Sequence, residues 1–270
     1  MRILFCGDIV GRSGREVVIE QVPRLRRELA LDFVIANGEN AAGGFGITRK
    51  ICDDLFAAGI DAISGGNHSW DQREALSFID SEPRLLRPQN YPAGTPGRGS
   101  AVFDAGGGRK VMLLNVMGRL YMDPLDDPFV CVERELAKQR LGGTVQAIVL
   151  DVHAEATSEK MAMGHFVDGR VSLVIGTHTH VPTADTMILP GGTAYQSDAG
   201  MCGDYNSVIG MAKDVPIARF TRKLPTERLS SAEGPGTLCA VFLETDEKSG
   251  LAKKVAPLRL GGRLAPVMPG

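Results

Sequence analysis

Residues 33–40 read Phe33-Val34-Ile35-Ala36-Asn37-Gly38-Glu39-Asn40, a short apolar run that stops in a polar cluster. The pattern recurs on either side: Ile3–Cys6 runs into Gly7-Asp8, and Asp61–Ser64 runs into Gly65-Gly66-Asn67-His68. Between these runs, Arg15–Leu29, Arg49–Ala58 and Arg73–Ile79 carry helical periodicity, so the first half reads strand, helix, strand, helix, strand, helix. That alternation predicts a layered α/β domain. In open α/β sheets the carboxyl ends of the strands line the ligand crevice, so the polar clusters are expected to converge.

The pattern resumes with a strand over Lys110–Val116, a helix over Val130–Arg140, a strand over Ala147–Val152, a helix over Ser158–Phe166 and a strand over Val171–Ile175. Two more strand ends are polar, Asp151-Val152-His153 and Gly176-Thr177-His178-Thr179-His180. Beyond Thr183 the reading shifts to strands and turns, with strands over Thr186–Leu189, Thr193–Gln196, Leu238–Glu244 and Ala252–Leu260. Thr221–Pro235 is read as a surface excursion, and the part after Met211 as closing strands of the second sheet plus a rim loop.

With 270 residues, 43% of them hydrophobic, the chain is expected to form one compact domain over 1–270. A net charge of -2 and no long basic run give no indication of polymeric nucleic acid or a membrane surface as partner. A small anionic substrate is compatible with a metal site that supplies positive charge locally. Cys6, Cys52, Cys131, Cys202 and Cys239 lie in apolar contexts without C-x-x-C spacing and read as reduced packing residues. No signal-like or membrane-spanning stretch is visible, so a cytoplasmic location is expected. Pattern locates no oligomer interface on this loop-rich chain of 33 glycines and 15 prolines, and a homo-oligomer is left open.

Of five histidines, His68, His153, His178 and His180 sit at strand ends beside glycine or acids; His165 lies in a helical pattern and reads as structural. Gly176 suggests a loop around His178 and His180, in which the two imidazoles can diverge toward neighbouring cations. Imidazoles mixed with carboxylate and carboxamide oxygens suit iron, manganese or zinc rather than calcium or a thiolate-bound metal. Glu39 is a poor core residue, whereas a carboxylate bridging two cations roughly 3.5–4 Å apart would explain it. Asp8 reads equally as a helix N-cap, and Asn40 and Asn67 as turn residues, although their place at neighbouring strand ends favours ligation. Ala41–Gly46 lacks the lysine and spacing of a phosphate-cradling loop and reads as a flexible rim over the site.

The succession Gly7-Asp8, Gly38-Glu39-Asn40, Gly66-Asn67-His68, His153 and Gly176-Thr177-His178-Thr179-His180 resembles the calcineurin-like metallophosphoesterases, whose pattern is D-x-H, G-D, G-N-H-[DE], H and G-H-x-H. Val10 replaces the second histidine of that pattern, and Glu39-Asn40 replaces its bridging aspartate. With G-D-I-V-G-R-S-G-R, A-N-G-E-N-A-A-G-G-F-G-I-T and G-T-H-T-H-V-P-T-A-D, these departures resemble the YmdB branch, from Met1 to about Met211. The resemblance implies a four-layer αββα sandwich of two mixed sheets. It implies one metal on Asp8, Glu39, Asn40 and His180 and a second on Glu39, Asn67, His153 and His178, with iron or manganese expected.

His68 matches the family's proton donor, and Asp71 is a candidate to orient it or to cap the following helix. The expected activity is hydrolysis of cyclic nucleotides, foremost 2′,3′-cyclic nucleotides to 3′-phosphates. The expected chemistry is a bridging hydroxide attacking phosphorus while His68 protonates the leaving oxygen. Two other readings use the same residues: a phosphomonoesterase, or a regulatory protein whose metal site senses a ligand.

Overall fold

The computed structural model describes residues 1–223 and 225–270, so Leu224, within the expected excursion Thr221–Pro235, lies outside the described residues. In chain order the elements are β1 (Arg2–Cys6), β2 (Asp8–Ile9), α1 (Gly11–Glu28), β3 (Phe33–Asn37), α2 (Arg49–Ala57), β4 (Ala62–Ser64) and α3 (Ala75–Phe78, followed by a 3-10 turn at Ile79–Ser81). They continue with β5 (Ser100–Asp104), β6 (Lys110–Met117), α4 (Pro128–Leu136), β7 (Ala147–His153), α5 (Thr157–Phe166) and β8 (Leu173–Thr177). The last are β9 (Met187–Ile188), β10 (Ala194–Gln196), β11 (Met201–Cys202), α6 (Asp214–Arg222), β12 (Thr237–Thr245) and β13 (Ala252–Gly261).

One sheet has the order β13-β12-β1-β3-β4 and the other β5-β6-β7-β8-β10-β9, with a two-stranded pair of β2 and β11. Strands β1, β3 and β4 run parallel, as do β6, β7, β8 and β10; antiparallel β12 joins the first sheet beside β1, and antiparallel β5 and β9 edge the second. The expected closing of the second sheet by the C-terminal strands is therefore corrected: β12 and β13 complete the first.

Period-two alternation decides where each side chain goes. On β1, Leu4 and Cys6 pack in one cluster with Val18, Val22 and Leu25 of α1 and Leu55 of α2. Ile3 and Phe5 face the opposite way, into a cluster shared with Val111, Val149, Leu173 and Ile175 of the second sheet. On β7, Ile148, Leu150 and Val152 join Val132 and Leu136 of α4 and Met163 of α5 in a third cluster.

Local chemistry sets the element ends. Asp127 caps α4 by accepting from Phe129 and Val130 N–H, with Pro128 at the first turn, so the helix starts and stops earlier than expected from periodicity. The cap of α1 is Val10 with no side-chain hydrogen bond, and Asp8 lies in β2, which removes the capping reading of Asp8. The five cysteines are free and buried. No helix among the described residues is long and apolar enough to cross a membrane.

Candidate metal centre

The polar strand ends meet where the two sheets face each other. Asp8 on β2, Glu39 and Asn40 after β3, and His153 ending β7 are almost wholly buried, as is His180. Asn67, His68 and His178 are half-buried. Glu39, His153 and His178 bring potential ligand atoms within 4.8 Å of one another.

The donor atoms are short of protons. His153 Nε2 lies 2.9 Å from Asn67 Oδ1, 3.1 Å from Glu39 Oε1 and 3.1 Å from His178 Nδ1. A single Nε2–H cannot serve three such neighbours, and a cation at their focus would satisfy them all. Glu39 Oε1 accepts no well-aligned hydrogen bond beyond that charge contact, and the buried Asn40 Oδ1 accepts none. Unpaired buried oxygens are costly unless something binds them, so this donor set fits metal ions. Asn40 Nδ2 donates to Gly44 O at 3.0 Å, which fixes which of its amide atoms is free. Val10, by contrast, packs in an apolar cluster with Met201 and Met211.

Space for the centre depends on Gly66: a Cβ there would lie 2.2 Å from Glu39 Oε2 and 2.4 Å from His153 Nε2. Gly176 closes a second tight approach, since its Cβ would meet Ser197 O of the neighbouring chain segment. Gly176 itself lies within β8, so the loop expected around it begins only after Thr177. His178 and His180 then take positive φ of 95° and 65°, and the two rings diverge. His178 turns Nδ1 to His153, whereas His180 turns Nε2 toward Asp8 Oδ1, 3.9 Å away.

Outer contacts hold the imidazoles. His153 Nδ1 lies 2.9 Å from Thr177 Oγ1, and Thr177 donates to Asp151 Oδ1 at 2.7 Å. Because the hydroxyl proton is spent on Asp151, Thr177 accepts from His153 Nδ1–H and Nε2 keeps its lone pair toward the centre. Asp151 also accepts from Ser64 Oγ at 2.6 Å and Asn37 Nδ2 at 3.3 Å, which ties β7 to the ends of β3 and β4. His180 Nδ1 donates to Ile209 O at 2.7 Å. Thr179 is held by Asp198, whose Oδ2 accepts from the Thr179 N–H at 3.1 Å and hydroxyl at 2.8 Å and pairs with the buried Lys160 Nζ at 2.9 Å.

Charge is concentrated in the pocket. Burial works against ionisation of Glu39, but His153 beside it and the His68 N–H at 2.8 Å hold its carboxyl down at about 2. Burial likewise opposes the imidazolium of His153, yet Glu39, Asp8 and Asp151 raise it to about 9. Burial pushes His178 down to about 3 and lowers His180, leaving both neutral and suited to ligation. Burial raises Asp8 well above the usual carboxylate range, a cost that a bound cation would relieve.

At the rim, His68 Nδ1 lies 2.8 Å from Asp71 Oδ2, and Phe45 sets its ring edgewise against His68 at 5.2 Å. The expected rim Ala41–Gly46 thus packs on the site, with Phe45 O accepting from Gln72 Nε2 at 2.8 Å. All eight residues singled out in the sequence are in this region. Sequence reading met Asp151 and Thr177 as members of polar strand ends without giving them a role, and passed over Glu155, Lys160 and Asp198. Only Asp198 carried a usable signal, another polar cluster after an apolar strand, Ser197-Asp198-Ala199-Gly200.

A pocket of imidazoles, carboxylates and carboxamides at the facing edges of two sheets has the donor chemistry of a metal-dependent hydrolase. The sequence matches the YmdB-like proteins over residues 4–258, and the chain belongs to that family. It is 48% identical to a 2′,3′-cyclic-nucleotide 2′-phosphodiesterase of Bacillus subtilis, over 94% of this chain and 95% of the relative. A crystal structure of a hypothetical protein from Thermus thermophilus superposes with a TM-score of 0.90 at 42% identity, over 97% of this chain and all of that one. A second, described as a novel phosphatase of Mycoplasma pneumoniae, has a TM-score of 0.90 at 32% identity, over 97% of this chain and 93% of its own.

Proposed function

We propose that this chain, acting as one four-layer αββα unit over residues 1–270 in the cytoplasm, hydrolyses 2′,3′-cyclic nucleotides to 3′-phosphates. The observation that carries the reading is the convergence of Asn67 Oδ1, Glu39 Oε1 and His178 Nδ1 on His153 Nε2, beside a buried and unpartnered Asn40 Oδ1. The 48% identity to the Bacillus subtilis phosphodiesterase supports the substrate class.

Asp8, Glu39, Asn40 and His180 would hold one metal and Glu39, Asn67, His153 and His178 a second, with iron or manganese matching the mixed donors. When bound, such cations acidify water and neutralise charge on the phosphoryl oxygens. In the net reaction the oxygen of water bonds to phosphorus, the bond from phosphorus to the 2′ oxygen breaks, and that oxygen takes up a proton.

His68 supplies the proton. The Asp71 carboxylate can only accept, so it draws His68 Nδ1–H toward itself and leaves Nε2 to donate from the imidazolium. The His68 backbone N–H is bound to Glu39 Oε2, so the donor is placed by the same carboxylate that would bridge the metals. Phe45 covers one side of the ring and limits its rotation.

The test pairs elemental analysis of protein purified without chelator with hydrolysis of 2′,3′-cyclic AMP and assignment of the product isomer. About two metals per chain and release of the 3′-phosphate are expected; no turnover after reconstitution with iron or manganese would overturn the reading. His68→Ala should lower kcat by about 10²–10⁴ with metal retained. Loss of metal in that variant would make His68 a ligand instead. The phosphatase description of the Mycoplasma pneumoniae structure favours one rival, a phosphomonoesterase, which the same assay separates by release of inorganic phosphate.

A further inference from the structure

His153 and His180 each turn their outer nitrogen to a partner inside the protein, a hydroxyl and a backbone carbonyl. His178 is held differently. Its Nδ1 faces His153 Nε2, and its Nε2 lies 3.2 Å from Oε2 of Glu155, a side chain that is half exposed. Among the described residues Glu155 has no lysine or arginine within ion-pair reach, and this imidazole is its one charge partner.

The pairing follows from strand register. Strands β7 and β8 run parallel with His153 opposite Thr177, so the chain segments leaving them stay side by side. Glu155 is then fixed from its other end, because α5 starts two residues later and Lys160 in its first turns is anchored on Asp198. The backbone that carries the carboxylate is therefore held from both sides.

A neutral imidazole carries one N–H. If Nε2 holds that proton, its positive end lies beside the Glu155 carboxylate, a charge contact rather than an aligned hydrogen bond, and the Nδ1 lone pair faces His153 Nε2 in the cluster shared with Glu39. The opposite tautomer would set the Nε2 lone pair against a carboxylate and an N–H into the focus of the ligand atoms. We propose that Glu155 is the positioning residue of His178, selecting the tautomer that presents Nδ1 to a metal and thereby setting the affinity of that one metal position. The proposal rests on the two-metal reading above and adds a residue to it.

The test is a manganese titration of wild type, Glu155→Ala and Glu155→Gln against a competing chelator, with elemental analysis and thermal unfolding of the metal-free forms. Removing such an outer partner is expected to weaken one of the two manganese ions about 10–100-fold in Glu155→Ala and leave the other unchanged. Glu155→Gln keeps an acceptor without charge and should fall between. Unfolding of the metal-free proteins should coincide, since the side chain is half exposed and its one charge contact is to a single imidazole.

Two wild-type affinities in Glu155→Ala would overturn the inference even if activity fell, because Glu155 would then act on substrate. Equal weakening of both ions would overturn it too, as a general loss of negative charge. A wild type that binds neither manganese nor iron would instead remove the two-metal reading, so the two failures are distinguishable.

Discussion

Strand β7 and the loop at 178–180 present chemically identical side chains by opposite means. His153 ends a strand buried along its whole length, paired on both sides in parallel register, so its direction is fixed by the sheet. His178 and His180 have left the ladder and sit at positive φ, where a non-glycine residue is uncommon. No repeating hydrogen bonds hold them. They are held by Asp198, Ile209 O, the Asp8 carboxylate and Glu155 instead. The strand-borne imidazole takes its backbone direction from pairing that exists for other reasons and adds one side-chain contact, Thr177, whereas the loop-borne imidazoles rely wholly on individual contacts with side chains and a backbone carbonyl.

The contrast should break hardest at Asp198. Asp198→Ala strands the buried Lys160 ammonium without its partner, a change expected to cost about 3–5 kcal/mol, readable by denaturant unfolding. Adding Lys160→Met to that variant should restore most of the stability but not the metal content, because Thr179 would still lack its acceptor. Recovery of both would mean the pair acts on stability alone.

Next in size is Gly66→Ala, which tests the strand-end side. The added methyl overlaps Glu39 Oε2 and His153 Nε2, so a loss of about 1–3 kcal/mol is expected together with loss of metal uptake by elemental analysis. Normal metal content there would show that the centre has room the geometry denies it. Smaller still is Thr177→Val, which keeps shape but withdraws the acceptor from His153 Nδ1. Metal affinity should fall about 10–100-fold by chelator competition.

The last effect is one of pH in the metal-free protein. His153 is raised from its ordinary 6.5 to about 9, so the stability its pairing contributes is whole below 6.5 and is lost as pH rises through about 9. The unfolding midpoint should decline across that window, and saturating metal, which displaces the proton, should flatten the profile. A midpoint independent of pH without metal would remove the ion pair between His153 and Glu39.

The same contrast accounts for what the sequence could reveal. Five strand-end clusters were legible because an apolar run that stops at Gly-Asp, Gly-Glu-Asn or Gly-Asn-His changes character within one or two residues; a sixth, Ser197-Asp198-Ala199-Gly200, was passed over. The braces were not legible, since Thr177, Lys160 and Glu155 are ordinary residue types whose partners lie on other elements. Pairing was equally hidden: the antiparallel register of β1 with β12, in which Cys6 faces Ala240, joins segments with no local signature of each other. The helix expected over Arg73–Ile79 is shorter, Ala75–Phe78, with Ile79 opening a 3-10 turn, and the residues before it are turns beside the close approach of Gly46 to Gln72.

The insertion of β1 between β12 and β3 governs when the centre can come into being. Asp8 and His178 meet across a separation of 170 residues; β1, which leads into Asp8, lacks its neighbour β12, and β2, which carries Asp8, lacks its partner β11, until the second half of the chain has been synthesised. A growing chain thus emerges with Asp8, Glu39, Asn40, Asn67 and His68 first and the imidazoles of His153, His178 and His180 much later, and contacts this distant form slowly. Metal capture would come at the end of folding, and a cation held with full affinity reports that both ends of the polypeptide have reached their final places.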